Sequence, residues 1–231
     1  GATTTVVVEP GWDCTVTARD HMMLTRAVLL PRMAAFGTDC DPILLEIFNN
    51  LFMTIAEQMG VTLQNTAHSV NVKERLDFSC AVFAPEGRLV ATAPHMPVHL
   101  GSMGESVRTI LGSRRAGMGP GDVYALINRY NGGTHLPDVT VVMPVFDEGG
   151  RLLFVTASRA HHADIGGTTP GSMPPDSTSI EQEGVLFDDF HLVEAGRLRE
   201  AELLELLRSG PYPARNPQQN LADLPAQIAA C

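Results

Sequence analysis

Two short stretches of the sequence combine histidine and aspartate at the same spacing. They are residues 132–138 (GGTHLPD) and residues 161–167 (HHADIGG), and each has the pattern H-x-x-D beside a Gly-Gly pair. Residues i and i+3 of a straight strand point to opposite faces, and the residue before a proline avoids the helix. The first pair can therefore meet only on a turn, which the neighbouring glycines make accessible.

Imidazole and carboxylate groups together suit zinc, manganese or iron(II). We therefore predict a divalent metal held by His135, Asp138, His161 and Asp164, with a position left open for a metal-bound water. His162 is a further candidate, as a third imidazole or in an outer shell, because adjacent residues of a strand cannot both face one ion. Turn-capping residues would show the same spacing, so the spacing alone leaves both interpretations open.

A second polar cluster precedes the predicted strand that begins at Phe78. It comprises Asn65, Ser69, Asn71, Lys73, Glu74, Arg75 and Asp77. Arg75 or Lys73 could bind a substrate carboxylate, for which the planar fork of arginine is well suited. A solvated helix end is the alternative interpretation.

Three other side chains are candidates for chemistry without a partner in the sequence. His95 and His99 flank a short Met-Pro-Val stretch and could be ligands or general bases, although core or turn histidines have the same appearance. Cys80 lies in an apolar run, which favours a buried thiol over a nucleophile. The four cysteines form no C-x-x-C pair, so we expect reduced thiols in a cytoplasmic protein.

The composition excludes several classes of function. The 231 residues include 16 Lys+Arg and 26 Asp+Glu, and the net charge of −10 argues against a nucleic-acid partner. Lys73 is the single lysine and has no glycine-rich turn before it, which excludes a phosphate-binding P-loop. No apolar stretch reaches the roughly 18–20 residues of a membrane span, so we expect no membrane partner.

Alternating groups of strands and helices predict an α/β or α+β fold, with a mixed sheet and flanking helices. Residues 3–8 and 12–17 read as an N-terminal hairpin that belongs to a preceding domain. Asp41 and Pro42 begin a long helix with an apolar stripe that we expect in the core, and Ser102 with Glu105 fits the start of a second helix. Strands are predicted at 78–83, 88–93, 123–128, 139–146 and 152–158, and short helices at 200–207 and from 216.

Several ordered motifs resemble the hydantoinase B/oxoprolinase family. They are residues 41–50 (DPILLEIFNN), 71–80 (NVKERLDFSC), 97–103 (PVHLGSM), 131–138, 161–167, 170–174 (PGSMP) and 209–216 (SGPYPARN). The resemblance covers residues 38–231, while residues 1–20 resemble the end of a hydantoinase A portion and 21–37 form a connection. With no initiating Met and an end inside an apparent helix, we expect a segment of a longer protein.

The resemblance implies ATP-dependent opening of a cyclic amide, namely 5-oxoproline to glutamate, as in glutathione metabolism, or a hydantoin to its carbamoyl acid. ATP would bind the hydantoinase A-like portion and phosphorylate the amide oxygen, and the B portion would complete the hydrolysis. Related carboxylases imply a metal at the H-x-x-D motifs, here His135, Asp138, His161 and Asp164. The alternatives are a subunit of an ATP-dependent ketone carboxylase of the acetone carboxylase type, or a structural module inactive alone. We expect a homo-oligomer when the protein is intact.

Overall fold

The structure is a computed structural model that describes residues 6–28 and 41–231. It divides into two compact units, residues 1–45 and residues 46–231. Cys40 and the first part of the predicted strand 3–8 lie outside the described residues. Within the described part of the chain, no helix has the length and hydropathy needed to cross a membrane.

The first unit contains an antiparallel hairpin in which the predicted strand 12–17 is present but pairs with a different partner. Strand β1 (Trp12–Val16) pairs with β2 (Met22–Arg26), so that Trp12 lies opposite Arg26. Residues 6–9 are not in a strand, and β2 falls in the stretch predicted as a connection. The turn forms because the Thr17 hydroxyl accepts the N–H of His21 at 3.1 Å, an interaction that strand propensity alone does not reveal.

The second unit is built on a seven-stranded sheet in the order β4-β3-β7-β6-β5-β8-β9. The strands are β3 (Phe78–Phe83), β4 (Leu89–Thr92), β5 (Val123–Leu126), β6 (Asp138–Phe146), β7 (Leu152–His161), β8 (Phe190–Glu194) and β9 (Arg197–Leu198). The predicted α+β class with flanking helices is confirmed. All pairings among these strands are antiparallel, whereas we expected a mixed sheet.

Helices cover both faces of this sheet. They are α1 (Pro42–Thr66), α2 (Val70–Lys73), α3 (Pro97–Arg114), α4 (Glu200–Leu207) and α5 (Pro217–Ala230). As predicted, Asp41 caps α1, because its Oδ1 accepts the N–H of Ile43 at 2.8 Å. Helix α3 begins at Pro97 and not at Ser102, since proline is favoured in the first helical turn and the Ser102 hydroxyl donates to the carbonyl of His99.

The alternation of side chains along the strands divides the core into layers. On one face, Met103, Val107 and Ile110 of α3 pack with residues such as Ala81 and Ala157. On the other face, two further apolar clusters join the sheet to α4 and α5 and to the second half of α1. The predicted core stripe of α1 is confirmed only there, at residues such as Met59 and Leu63.

The first half of the α1 stripe is exposed. Ile47, Leu51 and Ile55 retain 54%, 51% and 38% of their accessible surface, so the expectation that they lie in the core was wrong. Helical spacing shows that these residues share one face, but not whether the described chain covers it.

Candidate metal centre

The loop between β5 and β6 brings the first histidine–aspartate pair together. The Asn128 carbonyl accepts the N–H of Gly133 at 2.7 Å, and the His135 carbonyl accepts the N–H of Asp138 at 3.1 Å. Gly132 has a φ of +86°, and a Cβ on Gly133 would overlap the carbonyl oxygen of Ile127. The two glycines thus allow a close turn that places His135 and Asp138 side by side, as predicted for this stretch.

The register of β6 and β7 brings His161 to the same place. Asp138, the first residue of β6, lies opposite His161, the last residue of β7. Asp138 Oδ1 is 3.0 Å from His161 Nδ1, and Asp138 Oδ2 is 3.3 Å from His135 Nδ1. His135 Nε2 lies 3.2 Å from His161 Nδ1. One nitrogen or oxygen from each of the three residues lies within 4.8 Å of the others, close enough to surround one ion.

A third histidine, His99, lies next to these three residues. His99 comes from the first turn of α3 and is 1% exposed. Its Nε2 is 3.3 Å from Asp138 Oδ2 and 4.0 Å from Asp77 Oδ1, and its Nδ1 is 3.0 Å from the Ser79 hydroxyl. His99 is therefore a hydrogen-bonding partner of the Asp138 carboxylate and lies on the buried side of the cluster.

The surroundings shift the pKa values of Asp138 and His135 towards the forms that bind metals. Burial by itself would raise the pKa of Asp138, but hydrogen bonds from His161 and His99 and the nearby histidine rings together lower it far below the usual range. Burial lowers the pKa of His135, and the Asp138 charge opposes this only in part. Carboxylate and imidazole groups together are donors that divalent metals prefer, so the residues fit zinc, manganese or iron(II).

The structure does not bring Asp164 to this cluster. Its carboxylate accepts the N–H groups of Gly166 at 2.9 Å and Gly171 at 3.1 Å, and an Nη1–H of Arg215 at 2.7 Å. Arg215 also donates to the carbonyl of Gly167. Asp164 therefore pins a glycine-rich turn, which is the capping role that the spacing had left open for it.

His162 faces the opposite side of the sheet from His161. It is 1% exposed, with its Nε2 2.9 Å from Gln227 Oε1 and its Nδ1 3.0 Å from Asn220 Nδ2. Burial lowers the pKa of this histidine. Both ring nitrogens are engaged by helix α5. Of the five residues predicted as ligands, the structure therefore brings together His135, Asp138 and His161.

The two predicted substrate-binding residues occupy different surroundings. Arg75 lines a cavity of about 420 Å³ between α1 and the start of β3, together with residues such as Gln64 and His95. Within the described residues its guanidinium has no hydrogen bond or ion pair. Lys73 instead donates from Nζ to the carbonyl of Ala67 at 3.4 Å and does not line that cavity.

Two further polar residues, Asp77 and His99, lie beside the cluster. Asp77 immediately precedes β3, and its carbonyl accepts the N–H of His161 at 3.0 Å. His99 reaches the cluster because α3 starts five residues earlier than predicted. Pro97, two residues before His99, is a helix-start signal that could have shown that this histidine belongs to the first turn.

The chain is similar to known proteins over most of its length. The family described as Hydantoinase B/oxoprolinase matches residues 41–231. 5-Oxoprolinase 1 of Arabidopsis thaliana is 46% identical over 237 residues, which cover 98% of this chain and 18% of the plant protein. The chain thus spans about a fifth of the length of this relative.

Two solved structures share the fold. The ATP-dependent caprolactamase from Pseudomonas jessenii superimposes with a TM-score of 0.72 at 29% identity, covering 83% of this chain and 32% of the caprolactamase chain. A nucleotide-free acetone carboxylase superimposes with a TM-score of 0.75 at 21% identity, covering 83% of this chain and 25% of that chain. The identity to the carboxylase is low enough that this second likeness concerns the fold alone.

Proposed function

The chain belongs to the hydantoinase B/oxoprolinase family, and from this premise we propose that it is the metal-binding part of an ATP-dependent enzyme that opens a cyclic amide. The proposed substrate is 5-oxoproline and the product is glutamate. The observation that supports this most directly is the convergence of His135, Asp138 and His161 in a chain that is similar to a 5-oxoprolinase. The likeness to a caprolactamase, whose name also denotes a cyclic amide, supports the same substrate class.

Opening the ring requires water to attack the amide carbon, the C–N bond to break and the nitrogen to take up a proton. A divalent metal at this site would supply polarisation of the carbonyl or a more acidic bound water. The residues of the chain prepare that site, since Asp138 and the two imidazoles would hold the ion. His99 holds the Asp138 carboxylate from the buried side, at 3.3 Å.

Hydrolysis of this amide would draw on ATP that is bound elsewhere. The single lysine, Lys73, lies at the end of α2, and no glycine-rich phosphate-binding loop precedes it in the sequence. We assign ATP binding to a hydantoinase A-like portion, where the γ-phosphoryl group would pass to the amide oxygen and later leave as phosphate. The overall balance is one cyclic amide, one ATP and two waters giving the amino acid, ADP and phosphate.

Arg75 is the proposed carboxylate-binding residue. Its guanidinium has no partner among the described residues, and it lines a cavity that a small acid could enter. Leu76 and Phe78, the two neighbours of Asp77, line the same cavity. The cavity and the histidine cluster therefore lie at the same end of β3.

The proposal is tested by measuring ATP-dependent release of glutamate from 5-oxoproline by the full-length enzyme, together with its metal content. We expect His135→Ala and His161→Ala to lose both the metal and the activity. His68→Ala is the matched control, because His68 is an exposed histidine whose side chain makes no hydrogen bond within the described residues.

Three outcomes would contradict the proposal. Metal content and glutamate release that stay unchanged in His135→Ala would show that the ligands are misassigned. Consumption of a ketone and bicarbonate in place of 5-oxoproline would identify a carboxylase. An intact protein that turns over neither substrate with ATP would identify the chain as a structural module.

A further inference from the structure

Arg159 is a completely buried arginine in the layer between the sheet and α3. Its side chain is 0% exposed, and within the described residues no carboxylate lies at ion-pair distance from it. Its Nε donates to the Thr140 hydroxyl at 2.7 Å, and its two terminal nitrogens donate to the hydroxyls of Ser102 and Ser106. The guanidinium therefore links strands β6 and β7 to helix α3 through three hydroxyl groups.

Burying a guanidinium in this way destabilises the folded state more than burying an apolar side chain of similar size would. Removing a guanidinium from water costs free energy that three neutral hydroxyls compensate less well than a carboxylate would. An apolar side chain would pack this layer without that cost, as Val142 and Ala157 do further along the same face. The position of Arg159 beside the histidine–aspartate cluster offers a reason for the charge.

The strand register places Arg159 directly next to that cluster. The pair Thr140–Arg159 follows the pair Asp138–His161 on the same face of β6 and β7, about 7 Å further along the strands. In β3, the residue opposite Arg159 is Ser79, whose hydroxyl contacts Nδ1 of His99.

Each serine that accepts a hydrogen bond from Arg159 also donates one to a backbone carbonyl. The two carbonyls belong to the segments that carry His135 and His99. The Ser106 hydroxyl donates to the carbonyl of Gly132, which begins the turn that ends at Asp138. The Ser102 hydroxyl donates to the carbonyl of His99 at 3.3 Å. His99, Ser102 and Ser106 also share one face of α3, since they are three and four residues apart.

We propose that Arg159 is a positioning residue of the candidate metal centre, and that its guanidinium, through Ser102 and Ser106, holds α3 and the Gly132 turn so that His99 and His135 face Asp138. The inference rests on the proposed function for the role of the cluster, but not for its geometry. Within the described residues, the Arg159 guanidinium makes no hydrogen bond or ion pair with His135, Asp138 or His161, so its effect on the cluster is indirect.

The geometry is tested first without metal, by diethylpyrocarbonate labelling of the metal-free protein followed by mass spectrometry of each histidine. We expect Arg159→Lys and Ser106→Ala to increase the labelling rate of His99 several-fold. His162 is the internal control, because it is equally buried on the other face of the sheet and should stay protected. Asp122→Asn is the matched control variant, since it removes a buried carboxylate between β5 and β8, away from the cluster.

The second arm measures the affinity for Mn²⁺ or Zn²⁺ and the absorption spectrum of the Co²⁺-substituted protein. We expect Arg159→Lys and Ser106→Ala to bind the metal about 10–100-fold more weakly and with an altered Co²⁺ spectrum, as removal of outer contacts of a site does. Asp122→Asn should lower the melting temperature but leave both readouts unchanged.

The outcomes separate the two proposals. If His99 stays protected in Arg159→Lys and Ser106→Ala, or if His162 is labelled to the same extent as His99, Arg159 is an ordinary core residue and the inference is overturned. If the wild-type protein binds no metal while His99 labelling responds as expected, the metal function fails and the positioning role stands.

Discussion

Asp138 and His161 lie directly opposite each other in the β6–β7 ladder, with Asp138 Oδ1 3.0 Å from His161 Nδ1. They are 23 residues apart in the chain, and only the strand register makes them neighbours. Because side chains alternate between the faces of a strand, a shift of one residue would separate them completely. The register of these two strands therefore decides whether the candidate metal centre exists.

The first prediction compares the aspartates of the two H-x-x-D motifs. Asp138→Asn should weaken metal binding by more than the roughly 10–100-fold that is typical of a lost outer contact, because it removes a ligand charge. Asp164→Asn should keep the metal and lower the free energy of unfolding by about 1–3 kcal/mol, since its carboxylate holds Arg215 and the Gly166 turn. Elemental analysis and urea unfolding measure the two effects.

Asp176→Asn is the control for both variants, because Asp176 is an exposed aspartate without a hydrogen bond in the described chain. Loss of metal from Asp164→Asn with unchanged stability would restore the predicted four-ligand site and contradict the observed geometry.

These two motifs show what spacing can predict about the site. The turn at His135 and Asp138 was predictable because Pro137 and the glycines restrict the local backbone. The second motif was predicted to contribute both His161 and Asp164, with His162 as a further candidate, and its spacing could not show that His161 alone of these three reaches the pair. Only the pairing of β7 with β6 directs His161 to the α3 face and His162 to α5.

The second prediction concerns the turn that carries His135. Gly133→Ala places a methyl group against the backbone of Ile127, which cannot move without disturbing the end of β5. We expect a loss of about 1–3 kcal/mol in the free energy of unfolding, the usual cost of overpacking, together with weaker metal binding.

Gly112→Ala is the matched control, because a Cβ at this exposed position of α3 meets no atom within 4 Å. It should stabilise the protein by up to about 1 kcal/mol, since alanine is the better helix former. Equal stability and metal affinity of Gly133→Ala and wild type would show that the turn tolerates a side chain.

The third prediction concerns the stability of the sheet at low pH. Asp122 is 5% exposed and accepts the N–H groups of Gly119 at 2.8 Å and Ala195 at 2.9 Å, with His191 Nε2 at 3.2 Å. Burial would raise the pKa of this carboxyl, but the two backbone N–H groups and His191 outweigh it and lower the pKa below 3.8. Its contribution is therefore complete well above pH 3.8 and is lost as the pH falls through the lower folded-state value.

The Asp122→Asn variant isolates this contribution. At pH 7 its free energy of unfolding should be about 1–3 kcal/mol lower than that of wild type. This difference should shrink as the pH falls below about 4. Urea unfolding of both proteins at several pH values measures it. A difference that is independent of pH would mean that the lost hydrogen-bond geometry, and not the charge, is responsible.

The fold was predictable where local signals coincide with the pattern of apolar residues. Asp41 and Pro42 mark the start of α1, and the turn residues between β3 and β4 mark that hairpin. The short strands β8 and β9 were missed, since Phe190–Glu194 and Arg197–Leu198 gain their character by pairing with β5 and with each other. The antiparallel arrangement of the whole sheet also depends on such distant pairings.

The last prediction states which of the two basic residues that precede β3, Arg75 or Lys73, binds the carboxylate of the substrate. A hydrogen-bonded charge pair contributes about 1.5–3 kcal/mol, so Arg75→Ala should raise KM for 5-oxoproline by about 10–100-fold. The change in kcat should be small, because the carboxylate does not react and is bound equally in the ground and transition states. Arg75→Lys should fall in between, since lysine keeps the charge but loses the planar fork. Arg88→Ala, a change at another exposed arginine, is the control. A raised KM in Lys73→Ala with an unchanged KM in Arg75→Ala would move the carboxylate site to α2 and leave the Arg75 cavity without this role.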